Sequence, residues 1–305
     1  MLTRLSHGHI RIGTFQRLAF FKDADGLRAL TAYCLAHLYG EAGDDPARLL
    51  ALVCERTAAL AASYLAAGFV HGVLNSDNIA ITGESFDYGP WRFAPEWDEE
   101  FVAAYFDHHG LYAFGRQPEA IHWDVAQLAG ALSLIADHAP LQEALDRWPG
   151  QFERALVRAL LRRLGVEEVS EENDSRLVGA LLAALRTRAT TIDRLFFDWR
   201  GGRVPDDHAE PAFAALANHL DGRRSVASAR DHPYWSDAGP CSMHIHEVEA
   251  IWARIAEADD WAPFEEKVAA IRRMGQAMTA GAMTPPCAGA GEAPRLTAGA
   301  GPEDQ

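Results

Sequence analysis

The stretch His71-Gly-Val-Leu-Asn-Ser-Asp-Asn-Ile-Ala-Ile81, followed by Ser85-Phe-Asp-Tyr-Gly-Pro90, decides the fold class of this chain. Turn-forming residues separate its short β-type runs, which predicts a loop that contains a small β-hairpin. An acid and an amide stand side by side at Asp77 and Asn78, and Asp87 follows on the far side of the hairpin. Such oxygen ligands suit a hard divalent cation like Mg²⁺ together with phosphate oxygens. The sequence therefore predicts a metal and phosphate site in this loop.

The spacing within the loop follows that of protein kinases. Their catalytic loop has the pattern H-R-D-x-x-x-x-N, and a downstream D-F-G supplies the second metal ligand. Asn78 occupies the asparagine position relative to His71, and Asp87-Tyr-Gly89 stands where the D-F-G would. Two residues after the histidine, where kinases have the proton-accepting aspartate, the residue is Val73. Because valine accepts no proton, ordinary phosphoryl transfer to a hydroxyl is not expected, and the nearest acid is Asp77.

This motif closely resembles the selenoprotein O family, whose pattern is HGV-x-N-T-D-N followed by I-D-Y-G-P. The resemblance extends upstream to Arg4-Leu-Ser-His-Gly-His-Ile-Arg-Ile-Gly-Thr-Phe15. Downstream it includes Phe106-Asp-His-His-Gly-Leu-Tyr-Ala-Phe114, Gln117-Pro118 and Trp123. It covers residues 4–132 with high specificity, and beyond them only a general helical pattern is shared.

The resemblance implies a protein-kinase-like fold that transfers AMP, rather than phosphate, from ATP to hydroxyl groups of proteins. It implies Asp77 as the catalytic proton acceptor, with Asn78 and Asp87 as ligands of Mg²⁺. Arg4 and Arg11 are implied to contact the ATP phosphates, a role that suits the planar fork of guanidinium. ATP, Mg²⁺ and protein substrates are thus the expected cofactors and partners, and Asp87 would bind the nucleotide through its metal.

Two other functions stay open beside protein adenylylation. Family members carry an N-terminal lobe, with a Gly-rich phosphate loop and an ATP-binding lysine, before the segment that matches Arg4. Since the sequence begins at Met1 and Lys22 lies on the other side of the motif, a C-lobe on its own is expected. A non-catalytic pseudokinase remnant or regulatory nucleotide-binding module is the leading alternative. A small-molecule phosphotransferase of the aminoglycoside-kinase type is the third, and Val73 argues against it.

Helical periodicity dominates the rest of the chain. The expected fold is mainly α, a protein-kinase-like C-lobe with a small β-hairpin at the catalytic loop, around Ile79–Asp87. The nearly all-round apolar segment Pro46–Gly68 predicts a helix in the middle of a larger α-domain. One helical domain is expected over residues 1–280, and the Gly/Ala/Pro-rich stretch 281–305 is expected to be a disordered tail. Further helices are predicted at 25–38, 122–136, 141–147, 152–164, 175–188, 211–220, 245–258 and 263–278.

The composition excludes several classes of protein. Lys and Arg number 28 against 43 Asp and Glu, so the net charge of −15 repels phosphate backbones and anionic membranes. We therefore expect no nucleic-acid and no membrane partner. No uncharged apolar stretch approaches the roughly 18 residues of a membrane-spanning helix, and no signal peptide is visible, so a cytoplasmic protein is expected. The four cysteines form no CxxC pair, which is typical of free thiols in a reducing compartment.

Two histidine clusters outside the loop are possible metal sites. One is Asp107-His108-His109, and the other combines Cys241 with His244, His246 and Glu247. Neither has the HExxH spacing or a paired CxxC that identifies zinc sites from sequence. Helix capping and packing are therefore the favoured interpretation of both clusters.

Overall fold

The computed structural model describes residues 8–206 and 211–279, and within these ranges the protein is mainly helical. Its described part also contains one two-stranded antiparallel sheet, formed by β1 (Phe69–Val70) and β2 (Arg92–Phe93). The helices are α1 (Ile12–Phe20), α2 (Ala24–Cys34), α3 (Pro46–Ala67), α4 (Gln117–Leu132), α5 (His138–Asp146), α6 (Trp148–Leu164), α7 (Glu171–Arg186), α8 (Ile192–Asp198), α9 (Pro211–Leu220), α10 (Ile245–Ala258) and α11 (Ala262–Thr279).

Helix α3 lies at the centre of the fold. It begins where the Asp45 carboxylate accepts the N–H of Ala47 at 2.9 Å, with Pro46 in its first turn. It ends at Gly68, whose φ of +70° is the left-handed conformation that glycine adopts without strain. The helix is long and apolar enough to cross a membrane, yet 61% of its most apolar window is buried inside the protein. Because it packs against α4, α5 and α6, the prediction of a central helix is confirmed.

Two hydrophobic cores adjoin α3. Helices α1, α2, α4 and α5 form the first core with much of α3, and its buried side chains include Phe15 and Ile121. Helices α6 to α9 form the second core, which contains Phe196. Ile79 and Ile81 of the candidate loop are fully buried in the first core. The loop is therefore anchored by its apolar residues.

The β structure closes the base of the candidate loop. β1 pairs with β2 so that Phe69 lies opposite Phe93, and the two rings contact edge to face at 5.5 Å between centroids. The two ends of the segment 71–91 therefore lie side by side. The strands stand at the two ends of the loop and not in its middle.

The small hairpin predicted around Ile79–Asp87 is present as a single antiparallel bridge between Ile79 and Ser85. The Phe86 N–H donates to the Asn78 carbonyl at 2.9 Å, and the Ala80 N–H donates to the Glu84 carbonyl at 2.8 Å. On the outer edge of this hairpin, the Ile12 N–H donates to the Ile79 carbonyl at 3.1 Å, and the Ile81 N–H donates to the Ile10 carbonyl at 2.9 Å. These bonds attach the hairpin to the start of α1.

The helix that precedes α3 ends irregularly. α2 continues into one π-helical turn, Leu35–Tyr39, which stops at Gly40 with φ +70°. This turn directs the Tyr39 hydroxyl to the carbonyl of Ile81, to which it donates at 2.6 Å. Single π-helical turns are often found near functional sites, and this one connects a helix to the candidate loop.

Most predicted helices are confirmed, and α9 and α10 match to the residue. Two helices were not predicted. α8 has only seven residues, too few to show a hydrophobic period, and begins where the Thr191 hydroxyl accepts the Arg194 N–H. α1 has Gly13 in its first turn, which weakens the helical pattern. The predicted tail, residues 281–305, lies outside the described residues.

Charged side chains are buried in the second half of the fold. Asp174 of α7 accepts a hydrogen bond from Arg223 at 2.5 Å, and both side chains are over 90% buried. Arg200 donates to the Arg162 and Arg163 carbonyls, both at 2.8 Å, at the end of α6. Burial lowers the pKa of Arg200 to about 10. These groups stabilise the end of α6 and attach the start of α7 to the segment after α9.

Candidate active site

A buried histidine and a buried glutamine fix the base of the loop. The His71 N–H donates to Gln117 Oε1 at 2.9 Å, and Gln117 Nε2 donates to the Phe69 carbonyl at 2.8 Å. His71 Nε2 donates to the carbonyl of Asp87 at 2.5 Å, while Nδ1 accepts the Val73 N–H. Burial lowers the pKa of His71, which keeps the ring neutral. His71 thus positions the backbone of Asp87, and its ring stacks on that of Tyr88.

Asn78 joins the two halves of the loop. Its N–H donates to the Asn75 carbonyl at 2.8 Å, and its carbonyl accepts the N–H of Phe86 at 2.9 Å. Since Phe86 precedes Asp87, this bond fixes the backbone of both predicted metal ligands. The Asn78 Nδ2 donates to the Val73 carbonyl at 2.9 Å, so the amide orientation is set. Within the described ranges, no group donates to Asn78 Oδ1.

Asp77 is exposed and faces the first turn of α1. Its Oδ1 lies 3.7 Å from Arg11 Nη1, which also donates to the Asp77 carbonyl at 3.4 Å. Gly13 of α1 approaches the same carboxylate so closely that a Cβ there would lie 2.2 Å from Asp77 Oδ1. Because Gly13 has no side chain, the positive end of the α1 dipole can lie close to the Asp77 carboxylate.

Arg11 is held between the loop and α1. Its backbone forms a bridge with Ala80, and its guanidinium lies 4.9 Å from the centroid of the Phe86 ring. The Gly13 N–H donates to the Ser76 carbonyl at 2.9 Å and fixes the same segment. Arg11 Nε is buried and finds no acceptor among the residues that the structure describes. A buried guanidinium N–H without an acceptor costs free energy, which a bound oxyanion would recover.

The predicted site residues fall into two contacting sets. Arg11 and Asp77 contact each other directly, and Asn78 and Asp87 are joined through the backbone bond to Phe86. The Asp87 side chain is exposed, whereas its carbonyl is held by His71. Arg4 lies outside the described residues. Two exposed carboxylates, one amide oxygen and one guanidinium are the donor set that binds a hard cation together with a phosphate.

One known protein family matches most of this chain. A family model described as protein adenylyltransferase SelO matches residues 1–237, more than three quarters of the chain. The chain belongs to the SelO family. The family assignment predicted from the loop is thereby confirmed, and the match continues past residue 132, where the resemblance by motif ended.

Curated relatives in the SelO family carry the name protein nucleotidyltransferase YdiU. The protein from Gloeobacter violaceus is 33% identical over 297 residues, covering 90% of this chain and 61% of the relative. Relatives from Synechococcus and Methylorubrum extorquens are 33% and 34% identical and cover 93% and 90% of this chain. Their own lengths are covered to 64% and 60%. The chain therefore spans about three fifths of the curated relatives that it matches.

Three residues that shape this SelO-family loop were not predicted as site residues. Gly13 admits Asp77, Gln117 fixes His71, and Phe86 links Asn78 to the residue before Asp87. A glycine inside a helical segment signals a close approach of another group, so Gly13 had a readable signal. Gln117 and Phe86 stand in the motifs that resemble the family, but their roles depend on contacts that the sequence does not show.

The first histidine cluster has the structure expected for capping. The Asp107 carboxylate accepts the backbone N–H groups of Leu111 and Tyr112, each at 2.8 Å. Both carboxylate oxygens are used in this turn, as in other turns closed by aspartate. Asp107 therefore closes the turn that precedes α4, in agreement with the capping interpretation.

Proposed function

We propose that this chain carries the adenylylation centre of a SelO-family nucleotidyltransferase, transferring AMP from ATP to hydroxyl groups of proteins with Mg²⁺. The observation that carries the proposal is the position of Asp77, exposed and held by Arg11 beside Gly13, in a loop where Val73 replaces the kinase base. A carboxylate must take the proton of an attacking hydroxyl here. Because Asp87 is assigned to Mg²⁺, Asp77 is the carboxylate proposed for this role.

The proposed reaction balances without a further co-reactant. The hydroxyl oxygen of the target attacks the α-phosphorus of ATP, and its proton passes to Asp77. The bond between the α-phosphorus and the bridging oxygen breaks, and pyrophosphate leaves. Arg11, with Arg4, would neutralise the phosphate charge. The buried Arg11 Nε that lacks an acceptor among the described residues supports this role.

Mg²⁺ fits the donor set of the loop. Asn78 has its Nδ2 committed to the Val73 carbonyl, which leaves Oδ1 for a metal, and Asp87 keeps an exposed carboxylate on a backbone fixed by His71. Both offer the hard oxygen ligands that Mg²⁺ prefers. When bound, Mg²⁺ would neutralise charge on the ATP phosphates.

The kinase-like C-lobe and the cytoplasmic location are parts of the same proposal. The mainly helical body, with a central apolar helix beneath the loop, is compatible with a kinase-type C-lobe. ATP and protein substrates are the proposed partners, and the net charge of −15 disfavours nucleic acid and anionic membranes.

The decisive experiment uses ATP labelled separately at the α and γ positions. The full chain is incubated with Mg²⁺ and a mixture of proteins, and label on protein is measured for the unmodified chain and Asp87→Ala. Asp25→Ala is the matched control, because Asp25 is an exposed acid on α2 that pairs with Arg28, away from the loop. Transfer of α-label that is lost in Asp87→Ala and kept in Asp25→Ala supports adenylylation.

Other outcomes contradict the proposal in distinguishable ways. Transfer of γ-label indicates a phosphotransferase. Saturable binding of ATP without transfer of either label indicates a regulatory nucleotide-binding module. Absence of both binding and transfer removes the proposed site altogether.

A further inference from the structure

A second polar cluster lies at the start of α10, beyond residues 1–237 that the family model matches. One ring nitrogen of His244, one of His246 and one carboxylate oxygen of Glu247 lie within 4.8 Å of one another. Among the described residues, this is the one trio of His, Cys, Asp or Glu side chains with that spacing. Capping is part of its structure, because Glu247 Oε1 accepts the His244 backbone N–H at 3.3 Å.

The His244 ring is buried between two carboxylates. The residue is only 8% exposed, and its Nε2 makes no hydrogen bond within the described part of the chain. That nitrogen lies 3.6 Å from Asp193 Oδ2 of α8, while Nδ1 lies 3.9 Å from Glu247 Oε1. A metal on Nδ1 would fix the ring proton on Nε2, where it faces Asp193. Metal-binding histidines commonly donate their other ring N–H to such a carboxylate.

The charges around the cluster are balanced without a metal. Asp193 Oδ1 is bound by Arg163 at 2.5 Å, and Glu247 Oε2 by Lys267 at 2.6 Å. Lys267 occupies the place of a cation and would compete with a metal.

A cavity of about 380 Å³ adjoins the cluster. Asp193, Cys241 and Ser242 line it, together with the apolar side chains of Met274 and Met278. The three proposed ligands are not among the residues that line it, and Asp193, which is, lies on the Nε2 side of the His244 ring. A zinc site with three protein ligands commonly keeps its fourth position for water.

We propose that His244, His246 and Glu247 bind a divalent transition metal of borderline softness, Zn²⁺, with Asp193 orienting the His244 ring. Two imidazoles and a carboxylate favour zinc over the hard cations. Ligand atoms around tetrahedral zinc lie roughly 3.4 Å apart, so the trio must contract by about 1 Å. His246 is exposed and free to turn. The site is independent of AMP transfer, because it lies on another part of the fold.

The test measures zinc bound to the full chain after treatment with a chelator. Calorimetric titration with Zn²⁺ and elemental analysis should give one ion per chain, with a rise in the thermal unfolding temperature. His246→Ala should weaken binding by about tenfold or more, and it removes no core packing because the side chain is exposed. His219→Ala, an exposed histidine on α9, is the matched control and should bind zinc normally.

Lys267→Met separates metal binding from a purely structural role. Removing the competing ammonium should tighten zinc binding by about fivefold, although a salt bridge to Glu247 is lost. Circular dichroism of each variant without metal checks that the fold is kept, and Glu247→Gln is a second ligand variant if His246→Ala unfolds. Absence of saturable binding at one ion per chain overturns the proposal. Equal binding by His246→Ala, or an equal loss in His219→Ala, does so as well.

Discussion

The loop at 71–91 and the helices α6 to α9 use charge in opposite ways. In the helices, charged side chains are buried and paired, as Asp174 and Arg223 are. In the loop, the buried polar side chains of His71 and Ser85 are uncharged, and Asp77 and Asp87 stand at the surface. Charges that hold the fold are thus separated from charges that are available to a ligand. Stability and activity should respond to different substitutions.

The largest expected effect on stability comes from the buried pair. Asp174→Ala leaves the Arg223 guanidinium buried without its carboxylate and removes an acceptor of the Val169 N–H. We expect the free energy of unfolding to fall by about 3–5 kcal/mol, measured by urea titration. The matched control is Glu172→Ala, which removes an exposed pair with Arg176 on the same helix and should cost less than about 0.5 kcal/mol. Similar losses of unfolding free energy in the two variants would contradict the proposed difference between buried and exposed ion pairs.

The second prediction concerns geometry in the loop. Gly13→Ala adds a Cβ that would lie 2.2 Å from Asp77 Oδ1, so the carboxylate must move. A displacement of about 1 Å from the reacting geometry should lower AMP transfer by about 10²-fold, while the helix itself is not weakened because alanine is the better helix former. Activity is measured with α-labelled ATP and stability by thermal unfolding.

Gly130→Ala is the control for that substitution. Gly130 lies on α4, and a Cβ added there would meet nothing within 4 Å among the described residues. The variant should gain about 0.5–1 kcal/mol of stability and keep full transfer activity. If Gly13→Ala behaves in the same way as Gly130→Ala, Asp77 is not the proton acceptor.

The smallest expected effect is on the pH dependence of stability. It concerns a buried acid that lies neither in an ion pair nor in the candidate loop. Asp124 of α4 is fully buried, and neither carboxylate oxygen has a partner among the described residues. Burial raises its pKa from 3.8 to about 8. Between these values the folded state binds a proton that the unfolded state has lost, so stability falls as the pH rises through this window. The stability that comes from keeping Asp124 protonated is intact below pH 3.8 and lost above about pH 8.

Asp124→Asn should remove this pH dependence. Its advantage in unfolding free energy over the parent should grow from near zero at about pH 4 to on the order of 1–3 kcal/mol above about pH 8. Urea titrations at a series of pH values measure the difference. An advantage that is constant with pH would show that Asp124 does not titrate in this range. Asp25→Asn, at an exposed site, should show no such dependence.

The motif of the candidate loop was readable from the sequence, whereas the contacts that support the loop were not. His71, Asn78 and Asp87 were recognisable because their spacing lies within one loop and follows known chemistry. The β element predicted at 79–87 is present only as a short bridge, and the sequence does not reveal that its outer edge bonds to Ile10 and Ile12 at the start of α1. Local patterns cannot show such competition between distant segments.

The prediction of helices from the sequence was limited in a similar way. The long apolar helix α3 was recognisable from its composition, with Pro46 at its start and Gly68 after its end. α8 is too short for a period, and the contact between Asp193 on it and His244 at the start of α10 joins residues distant in sequence. The grouping of His244, His246 and Glu247 could be suspected from their order, but the burial of the His244 ring could not.

The π-helical turn at Leu35–Tyr39 makes the length of that segment as important as its composition. Its surplus residue rotates the chain so that the Tyr39 hydroxyl reaches the Ile81 carbonyl. Deleting one residue would restore a regular α-helix and swing the tyrosine by about 100° around the axis. A one-codon deletion would therefore detach the helix from the loop even if every remaining side chain were kept.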